Sequence, residues 1–393
     1  MKSKNLIFSV IVFLLWFVIF FSYGHQEAKW KGRIEKEDGN KIIKNPDQPM
    51  FGEVVFDLEK VNVLGAEKNE NDIFALIWEV QADAQGNVYV SDIKDRRIKK
   101  FSSEGEYLDD IGQIGQGPGE FQSARNIYVD DKTGNFYVAD FMKVHRYNQN
   151  GVFQKTVNIN RIFHTFFVDI DQSFWARTSY MDETGQGEAF EKISPQGDLA
   201  KRIHKFSPQV LGSSTPSGEG EVTTVAGPKH GYEQELIVSR IDEKTFLWAL
   251  SNEYEMNVID IEGNLLFKIQ KQESPEGFSG KEKDKILSQV NIKTRKMVKL
   301  PRFKPFFMKV ISDDEGRIYL QRTRSPVSEK DEYVYDIFSK SGYFLYQSRF
   351  SEDPVVIKNG LFYTVVRDTE TDIQHVKIYR IKNWNLIKKD ITH

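Results

Sequence analysis

The sequence repeats a short motif in which a glycine-containing turn leads into an aromatic strand. Residues 86–92, GNVYVSD, return as residues 134–140, GNFYVAD. Weaker copies have a large apolar or aromatic residue where the first two have Tyr89 and Tyr137, and these residues are Trp175, Leu247, Tyr319 and Phe362. Consecutive copies lie 48, 38, 72, 72 and 43 residues apart. A repeat of this length indicates stacked supersecondary units that share one continuous core.

A second marker gives the same number of units. In each unit a hydrophobic residue is followed four positions later by Gly or Asn, residue types that reach positive φ at little cost in short hairpin turns. The six pairs are Phe101 and Gly105, Tyr147 and Gly151, Ile193 and Gly197, Ile259 and Gly263, Phe338 and Gly342, and Tyr379 and Asn383. The first unit divides into four strands with alternating side chains, at residues 76–81, 88–91, 97–101 and 107–111.

Six four-stranded units predict an all-β, six-bladed β-propeller, because three of the spacings match one blade and each spacing of 72 leaves about 30 residues for an insertion. The sixth unit, residues 354–382, offers only three clear strands. Residues 54–58 and 61–64 form an unassigned pair of strands before the first repeat, so we expect the N-terminal stretch to close the ring. Residues 385–387 are the alternative closing strand.

The residues of the first two units resemble NHL-repeat six-bladed propellers. The resemblance is carried by residues 115–121 (GQGPGEF), 127–130 (IYVD) and 134–140, and by residues 86–92 with 95–101. The layout is similar to exported bacterial propellers, specifically across residues 75–157 and only weakly from 158 to 382. The resemblance implies the fold. It leaves the function open, since such propellers include protein-binding and RNA-binding modules, lyases and lactonases.

The N-terminus predicts export. Lys2 and Lys4 precede an apolar run over residues 6–21, and small residues follow, which is the order of a secretory signal. We expect residues 1–24 to be a signal peptide, with an uncleaved membrane anchor through residues 6–21 as the alternative. Residues 25–53 are interpreted as a polar linker and residues 54–393 as the propeller. The protein is therefore expected in the periplasm, at the cell surface or in the medium.

Composition excludes several chemistries. The 393 residues include 54 Lys and Arg, 57 Asp and Glu and no Cys. Without cysteine there is no disulfide, thiolate zinc site or iron–sulfur cluster. A chain with no basic excess is not expected to bind nucleic acid, because phosphates must be neutralised by Lys and Arg.

The loops between blades and between the second and third strands of each blade are long and fall on one face, where function is usually carried. Residues 271–304 hold ten basic and four acidic residues, and Ser279 with Glu282 has the spacing of a capping box, so a short helix is expected near 279–297. We predict that this segment attracts an acidic protein, peptide or glycan, although a solvated lid would show the same charges. The predicted ligand-binding residues are Arg125, Arg161, Arg295, Lys296, Lys299 and Arg302.

Signals for catalysis are weak. Residues 115–119 are glycine-rich but open no helix, and no two histidines have metal-ligand spacing on one element. Asp92, Asp140, Arg97 and Arg146 recur with the repeat, which favours a structural role. The prediction is a binding module without a cofactor. The alternative is a lactonase-type hydrolase or a lyase with a divalent cation in the channel, where Glu79, Glu235 and Asp83 are candidate carboxylates.

Overall fold

Each repeat unit folds into an antiparallel sheet whose strands follow one another in chain order. The structure is a computed structural model that describes residues 29–65, 72–183, 185–207, 215–216, 222–223, 231–293, 295–328 and 332–391. Before the first repeat lie β1 (Arg33–Glu37), β2 (Asn40–Asn45) and β3 (Leu58–Leu64). Blade 1 consists of β4 (Ile77–Ala82), β5 (Val88–Asp92), β6 (Arg97–Phe101) and β7 (Tyr107–Ile111), and is followed by the short β8 (Gln113–Ile114) and β9 (Glu120–Phe121).

The next two blades have the same plan. Blade 2 consists of β10 (Asn126–Val129), β11 (Phe136–Asp140), β12 (Lys143–Tyr147) and β13 (Phe153–Asn158). Blade 3 consists of β14 (Phe163–Val168), β15 (Phe174–Asp182), β16 (Gly185–Ile193) and β17 (Leu199–Phe206). The two-residue strands β18 (Thr215–Pro216) and β19 (Val222–Thr223) pair with each other before blade 4 begins.

The remaining blades include the predicted insertion. Blade 4 consists of β20 (Leu236–Asp242), β21 (Thr245–Leu250), β22 (Glu255–Asp260) and β23 (Leu265–Lys271), and helix α1 (Gly280–Gln289) and a 3-10 turn (Arg295–Met297) follow it. Blade 5 consists of β24 (Phe307–Ser312), β25 (Ile318–Arg322), β26 (Tyr333–Phe338) and β27 (Phe344–Phe350). Blade 6 has β28 (Pro354–Lys358), β29 (Leu361–Arg367) and β30 (Gln374–Ile381) from the C-terminal end of the chain.

The N-terminal strand β3 closes the ring, as predicted. It pairs antiparallel with β30, from Leu58 opposite Ile381 to Leu64 opposite Val376, and supplies the fourth strand of blade 6. The alternative closure is wrong, because Trp384–Leu386 forms a 3-10 turn instead of a strand. Joining the two ends of the chain in one sheet removes the unpaired edge that an open ring would expose.

The segment interpreted as a polar linker is largely part of the sheet structure, which corrects that prediction. Strands β1 and β2 form a hairpin, and β2 pairs in parallel with β23, so that the sheet of blade 4 has six strands. Further on, the amide of Met50 donates to the Phe344 carbonyl at 3.0 Å and that of Val54 to the Gln347 carbonyl at 2.9 Å. We call residues 40–64 the N-terminal strap. They pair with the outer strands of blades 4 and 5 and then supply the outer strand of blade 6. Only Ile42 and Ile43 indicate a buried strand in residues 40–45, which is too short a pattern to identify from sequence.

Local turn chemistry explains why the repeat units form hairpins. In the turn between the third and fourth strands, a side-chain oxygen accepts backbone amides two and four residues ahead, as Asn148 does from Asn150 and Val152 at 3.0 Å each. Ser102, Ser194 and Asp260 repeat this pattern. Gly151, with φ of 78°, occupies the position that requires left-handed backbone.

Aromatic rings hold neighbouring blades together. Trp175 of blade 3 stacks on Phe246 of blade 4 with ring centroids 4.8 Å apart, and both side chains are fully buried. Between blades 1 and 2, Tyr89 lies 5.3 Å from Phe136. Burial of one such ring contributes about 1.5–3 kcal/mol to the free energy of folding. These aromatic contacts therefore help to hold neighbouring sheets together.

Helix α1 forms as the sequence predicts. The Ser279 side chain accepts the Glu282 amide, and the Glu282 carboxylate accepts the Ser279 amide, which completes the capping box. The predicted signal peptide, residues 1–24, lies outside the described residues. In the part of the chain that is described, no helix has the length and apolar character needed to cross a membrane.

Candidate functional site

Six inner strands, β4, β10, β14, β20, β24 and β28, surround the central channel. Each begins at the face that carries the long loops and ends at a short turn on the opposite face. At the short-turn end, Arg240 of blade 4 donates to the Tyr128 hydroxyl of blade 2, and Lys358 of blade 6 contacts Asp131 of blade 2 at 2.5 Å. These contacts join non-neighbouring blades across the ring, so a ligand would enter the channel from the long-loop face.

Four inner strands carry a β-bulge at their long-loop end. The paired registers skip one residue in blades 1, 3, 5 and 6, and the skipped residues are Trp78, His164, Met308 and Val355. Bulges re-aim side chains and are common next to functional sites. The register of blade 2 skips no residue. There Arg125, the residue directly before β10, has the position that the bulged residues have in the other blades. We call these five residues the channel mouth.

Glu79 follows Trp78 on the innermost strand of blade 1 and is the most unusual charge in the channel. Its carboxylate accepts hydrogen bonds from the Gln81 side chain at 2.8 Å, the Ile127 amide at 3.0 Å and the Asn126 side chain at 3.2 Å. Among the described residues no cation lies within ion-pair distance of it. Burial raises the pKa of Glu79 to about 7, although these hydrogen bonds favour the charged form.

A polar chain continues from Glu79 into blades 2 and 3. The Asn126 side chain also donates to the His164 carbonyl at 3.1 Å, so it joins Glu79 to the bulged residue of blade 3. The His164 ring is 2.8 Å from the Ser179 hydroxyl and 4.0 Å from Glu188. One carboxyl group, one amide and one imidazole therefore lie on three adjacent blades at the long-loop end of the channel.

Arg125 and Arg161, which the sequence suggested as a positive rim, have different surroundings. Arg125 is exposed at the channel mouth, with its guanidinium 5.5 Å from the Trp78 ring. Arg161 contacts Glu191 at 2.9 Å, and Glu191 is fully buried in blade 3, where Arg202 also binds it at 2.6 Å. The structure thus gives Arg161 a position inside an ion-pair network of its own blade.

The four predicted residues of the basic insertion also divide into two groups. The Arg295 guanidinium lies 3.4 Å from the Val290 carbonyl and 3.5 Å from the Ser288 carbonyl, at the C-terminal end of α1. Lys296, Lys299 and Arg302 are exposed, and within the described residues no ion pair involves them. Arg295 therefore caps the helix, whereas the other three residues stay exposed, with the Arg302 guanidinium 5.0 Å from the Phe303 ring.

Two further basic residues of the insertion are neutralised. Lys304 is buried and contacts Glu276 at 2.7 Å and Glu282 at 2.9 Å. Burial opposes the ionisation of Glu282, but hydrogen bonds from Ser325, Lys304 and Ser279 outweigh it and lower the pKa of Glu282 to about 2. Lys271 contacts buried Asp336 at 2.8 Å.

The recurring aspartates have the structural role that repetition suggested. Asp92 accepts the amides of Ala75 and Leu76 at the start of its own blade, and Asp140 accepts three amides of residues 122–124. Of the other candidate carboxylates, Asp83 accepts the amides of Gln85 and Asn87 in a short turn, and Glu235 lies 3.9 Å from Arg177. No cluster of three metal-binding side chains occurs within the described ranges.

Sequence reasoning named Glu79 and Arg125 but missed Trp78, Asn126 and His164. The inner strands of different blades bring these residues together from positions up to 86 residues apart. The bulges arise from strand pairing and leave no fixed sequence pattern. Regular alternation over residues 76–81 would place Trp78 on the same face as buried Val80, so the sequence does not indicate that Trp78 is 52% exposed.

Comparisons with known proteins agree on the fold. A family model described as a 6-bladed beta-propeller, DUF5128, matches residues 67–206. A candidate exported protein from Bacteroides fragilis NCTC 9343 is similar over 87% of this chain and 99% of its own, with a TM-score of 0.55 and 11% identity. Among proteins with curated functions, none matches the sequence.

Two further solved structures are more distant. A DUF4221 member from Bacteroides vulgatus ATCC 8482 covers 83% of this chain and 98% of its own, with a TM-score of 0.48 and 10% identity. A gluconolactonase from Xanthomonas campestris covers 83% and 96%, with a TM-score of 0.41 and 11% identity. The likeness to NHL repeats in particular stays a prediction. This chain is a six-bladed β-propeller of four-stranded antiparallel blades.

Proposed function

We propose that this protein is an exported binding module whose long-loop face binds an acidic protein, peptide or glycan. One observation carries the proposal: most positive charges of the insertion remain available to a ligand. The exposed basic residues of residues 271–304 are Lys281, Lys283, Lys285, Lys293, Lys296, Lys299 and Arg302. Asp284 is an exposed acid among them, while Glu273, Glu276 and Glu282 contact Lys271 or Lys304.

The way the insertion is anchored supports a recognition role. The Glu282 carboxylate accepts from Lys304 at 2.9 Å and from Ser325 of the blade 5 loop at 2.6 Å. Phe278 packs against Tyr232, whose ring centroid is 5.4 Å away. A helix held at several points presents its charges in a fixed arrangement, which lowers the entropy lost on binding. Such a cluster also raises the association rate of an anionic partner.

Export is part of this proposal and rests on the sequence of residues 1–24. The similarity to a candidate exported protein is consistent with it. The alternative function, a propeller enzyme with a metal in the channel, stays a hypothesis. Metal analysis of purified residues 25–393 tests that alternative directly.

The binding proposal is tested with two acidic probes, polyglutamate and polygalacturonate, and with neutral glutamine-rich peptide and dextran as comparisons. We expect the acidic probes to bind, and their affinity to fall steeply as salt rises from about 50 to about 500 mM, because exposed charges are screened. The triple variant K296S/K299S/R302S should bind more weakly, by about tenfold or more. Arg295 is left unchanged because it caps α1.

The matched control removes three exposed basic residues from strands β1, β3 and β30, in the variant K36S/K60S/R380S. It changes the net charge by the same amount and should keep the affinity of the parent protein. Equal losses in both triple variants would mean that net charge acts without a defined surface. If the affinity for the acidic probes changes neither with salt nor in K296S/K299S/R302S, the insertion is a solvated lid.

A further inference from the structure

We infer that the channel mouth is a second binding site, and that its ligand is a neutral polyhydroxylated ring, such as one sugar unit of a glycan. This inference concerns different residues from the basic insertion and does not depend on the acidic-ligand proposal. It rests on how the five residues of the channel mouth, together with Glu79 and Asn126, are distributed around the ring.

The mouth has an apolar side formed by three consecutive blades. Val355 of blade 6, Trp78 of blade 1 and Met308 of blade 5 are the bulged residues there. Trp78 is 52% exposed although its neighbours in the chain, Ile77 and Glu79, are buried or half-buried. The exposed indole of Trp78 provides a flat apolar surface, which suits the C–H face of a sugar ring.

The polar groups of the mouth lie on blades 1, 2 and 3. Arg125 and His164 are exposed there, and Glu79 and Asn126 lie one position deeper on their strands. Carboxylate, amide, imidazole and guanidinium groups can each exchange hydrogen bonds with hydroxyl groups. A ring with an apolar face and hydroxyls at its edge matches both sides of the mouth at once, whereas a purely apolar ligand would leave the polar side unsatisfied.

The Glu79 carboxylate favours a ligand whose hydroxyl groups donate hydrogen bonds. Its three hydrogen-bond donors are all neutral, so its charge has no ionic partner among the described residues. Hydroxyl groups of a ligand can donate to the remaining lone pairs of this carboxylate, and hydrogen bonds to charged groups are stronger than those between neutral groups.

A cationic ligand fits less well. Arg125 already lies over the Trp78 ring, and the long-loop face carries the exposed lysines of the insertion. The positive charges around the mouth would repel an ammonium group before it reached Glu79.

The test measures binding of neutral probes, namely methyl glycosides of glucose, galactose, mannose and N-acetylglucosamine and their short oligomers, by calorimetry and by tryptophan fluorescence. We expect at least one of these sugars to bind. Glu79→Gln and Trp78→Ala should each weaken that binding about tenfold or more, which corresponds to one strong hydrogen bond or one stacking surface. Thermal unfolding of each variant confirms that it is folded.

Two matched controls should bind the sugar as the parent protein does. Glu59→Gln changes an exposed glutamate on β3, and Ile114→Ala shortens a side chain that is 59% exposed on the long-loop face. The variant K296S/K299S/R302S should also bind these neutral sugars normally, which separates this site from the proposed acidic-ligand surface. The inference is overturned if no sugar in the panel binds, or if binding is unchanged in both Glu79→Gln and Trp78→Ala.

Discussion

The side chain of Asn45 donates a hydrogen bond of 2.9 Å to the carbonyl of Gly342, a residue 297 positions later in the chain. The same amide accepts the backbone N–H of Phe344 at 2.8 Å and donates to the Gln270 carbonyl at 3.2 Å. Asn45 is 2% exposed, and Gly342 lies in the turn between β26 and β27. One buried amide therefore joins the N-terminal strap to the outer strand of blade 4 and to blade 5.

Replacing Asn45 by Ala should destabilise the protein by about 1–3 kcal/mol, because the Phe344 amide and the Gly342 carbonyl lose a buried partner. Urea denaturation measures the change in the free energy of unfolding. Asn150→Ala is the matched control, since Asn150 is exposed in a turn of blade 2 and should change stability by less than about 0.5 kcal/mol. Equal stability of the two variants would mean that the strap contributes little at this point.

Deleting residues 50–66 should damage the ring far more than deleting residues 385–393. The first deletion removes β3, including fully buried Leu64, and leaves the edge of β30 unpaired. The second removes the Ile387 carbonyl that accepts from buried Arg317 at 2.7 Å, so it should lower the unfolding temperature but leave the sheet of blade 6 complete. Thermal unfolding and light scattering compare the two. A larger effect of the C-terminal deletion would contradict the importance of β3.

The insertion should detach from blade 5 when Glu282 loses its charge. Because its pKa is lowered to about 2, the stabilisation from Glu282 is present above its ordinary value of 4.5 and is lost as the pH falls from there toward 2. Glu282→Gln should show the same loss at pH 7, since it leaves Lys304 buried with only the exposed Glu276 as its ionic partner. Proteolysis within residues 271–304 should become several-fold faster.

The control for that experiment is Asp284→Asn, two residues away on the exposed side of α1. It removes one negative charge from the same helix and should leave the rate of proteolysis unchanged. If both variants are cut at the parent rate, the contacts of Glu282 with Lys304 and Ser325 do not hold the insertion in place.

The six blades could be predicted from sequence because their signals are local. A turn such as that of Asn148 and Gly151 needs its residue types within four positions, and blades 1 to 5 repeat them. The strap was missed for the opposite reason, since Asn45 acquires its role only from residues almost 300 positions away. The capping box of Ser279 and Glu282 predicted α1, but the sequence did not show that Lys304 and Ser325 share the same carboxylate.

The candidate site was harder to predict than the fold. Glu79 and His164 meet only because Asn126 lies between them on the neighbouring inner strand. Arg161 and Arg295 looked equivalent to Lys296 in a list of positive charges, yet Arg161 contacts buried Glu191 and Arg295 caps a helix. Net charge is a sequence property, whereas the availability of each charge depends on partners that only the folded chain supplies.

Glu79→Gln should stabilise the protein at pH 8 while it weakens binding at the channel mouth. Burial raises the pKa of Glu79 from its ordinary value of 4.5 to about 7, so the folded state holds this proton more tightly than the unfolded chain does. The charged carboxylate therefore costs the folded state an amount that grows from about pH 4.5 to about pH 7 and is then constant. Glutamine removes that cost and keeps an oxygen that can accept from Asn126 and Ile127.

The measurement is thermal unfolding of the parent and of Glu79→Gln between pH 4.5 and pH 8. The unfolding temperature of the variant should exceed that of the parent by a few degrees at pH 8, and the difference should vanish near pH 4.5. Glu59→Gln, on the exposed part of β3, should show no such trend with pH. If the difference in unfolding temperature stays constant over this range, Glu79 titrates at its ordinary pKa. The channel mouth then holds no uncompensated charge that a ligand could bind.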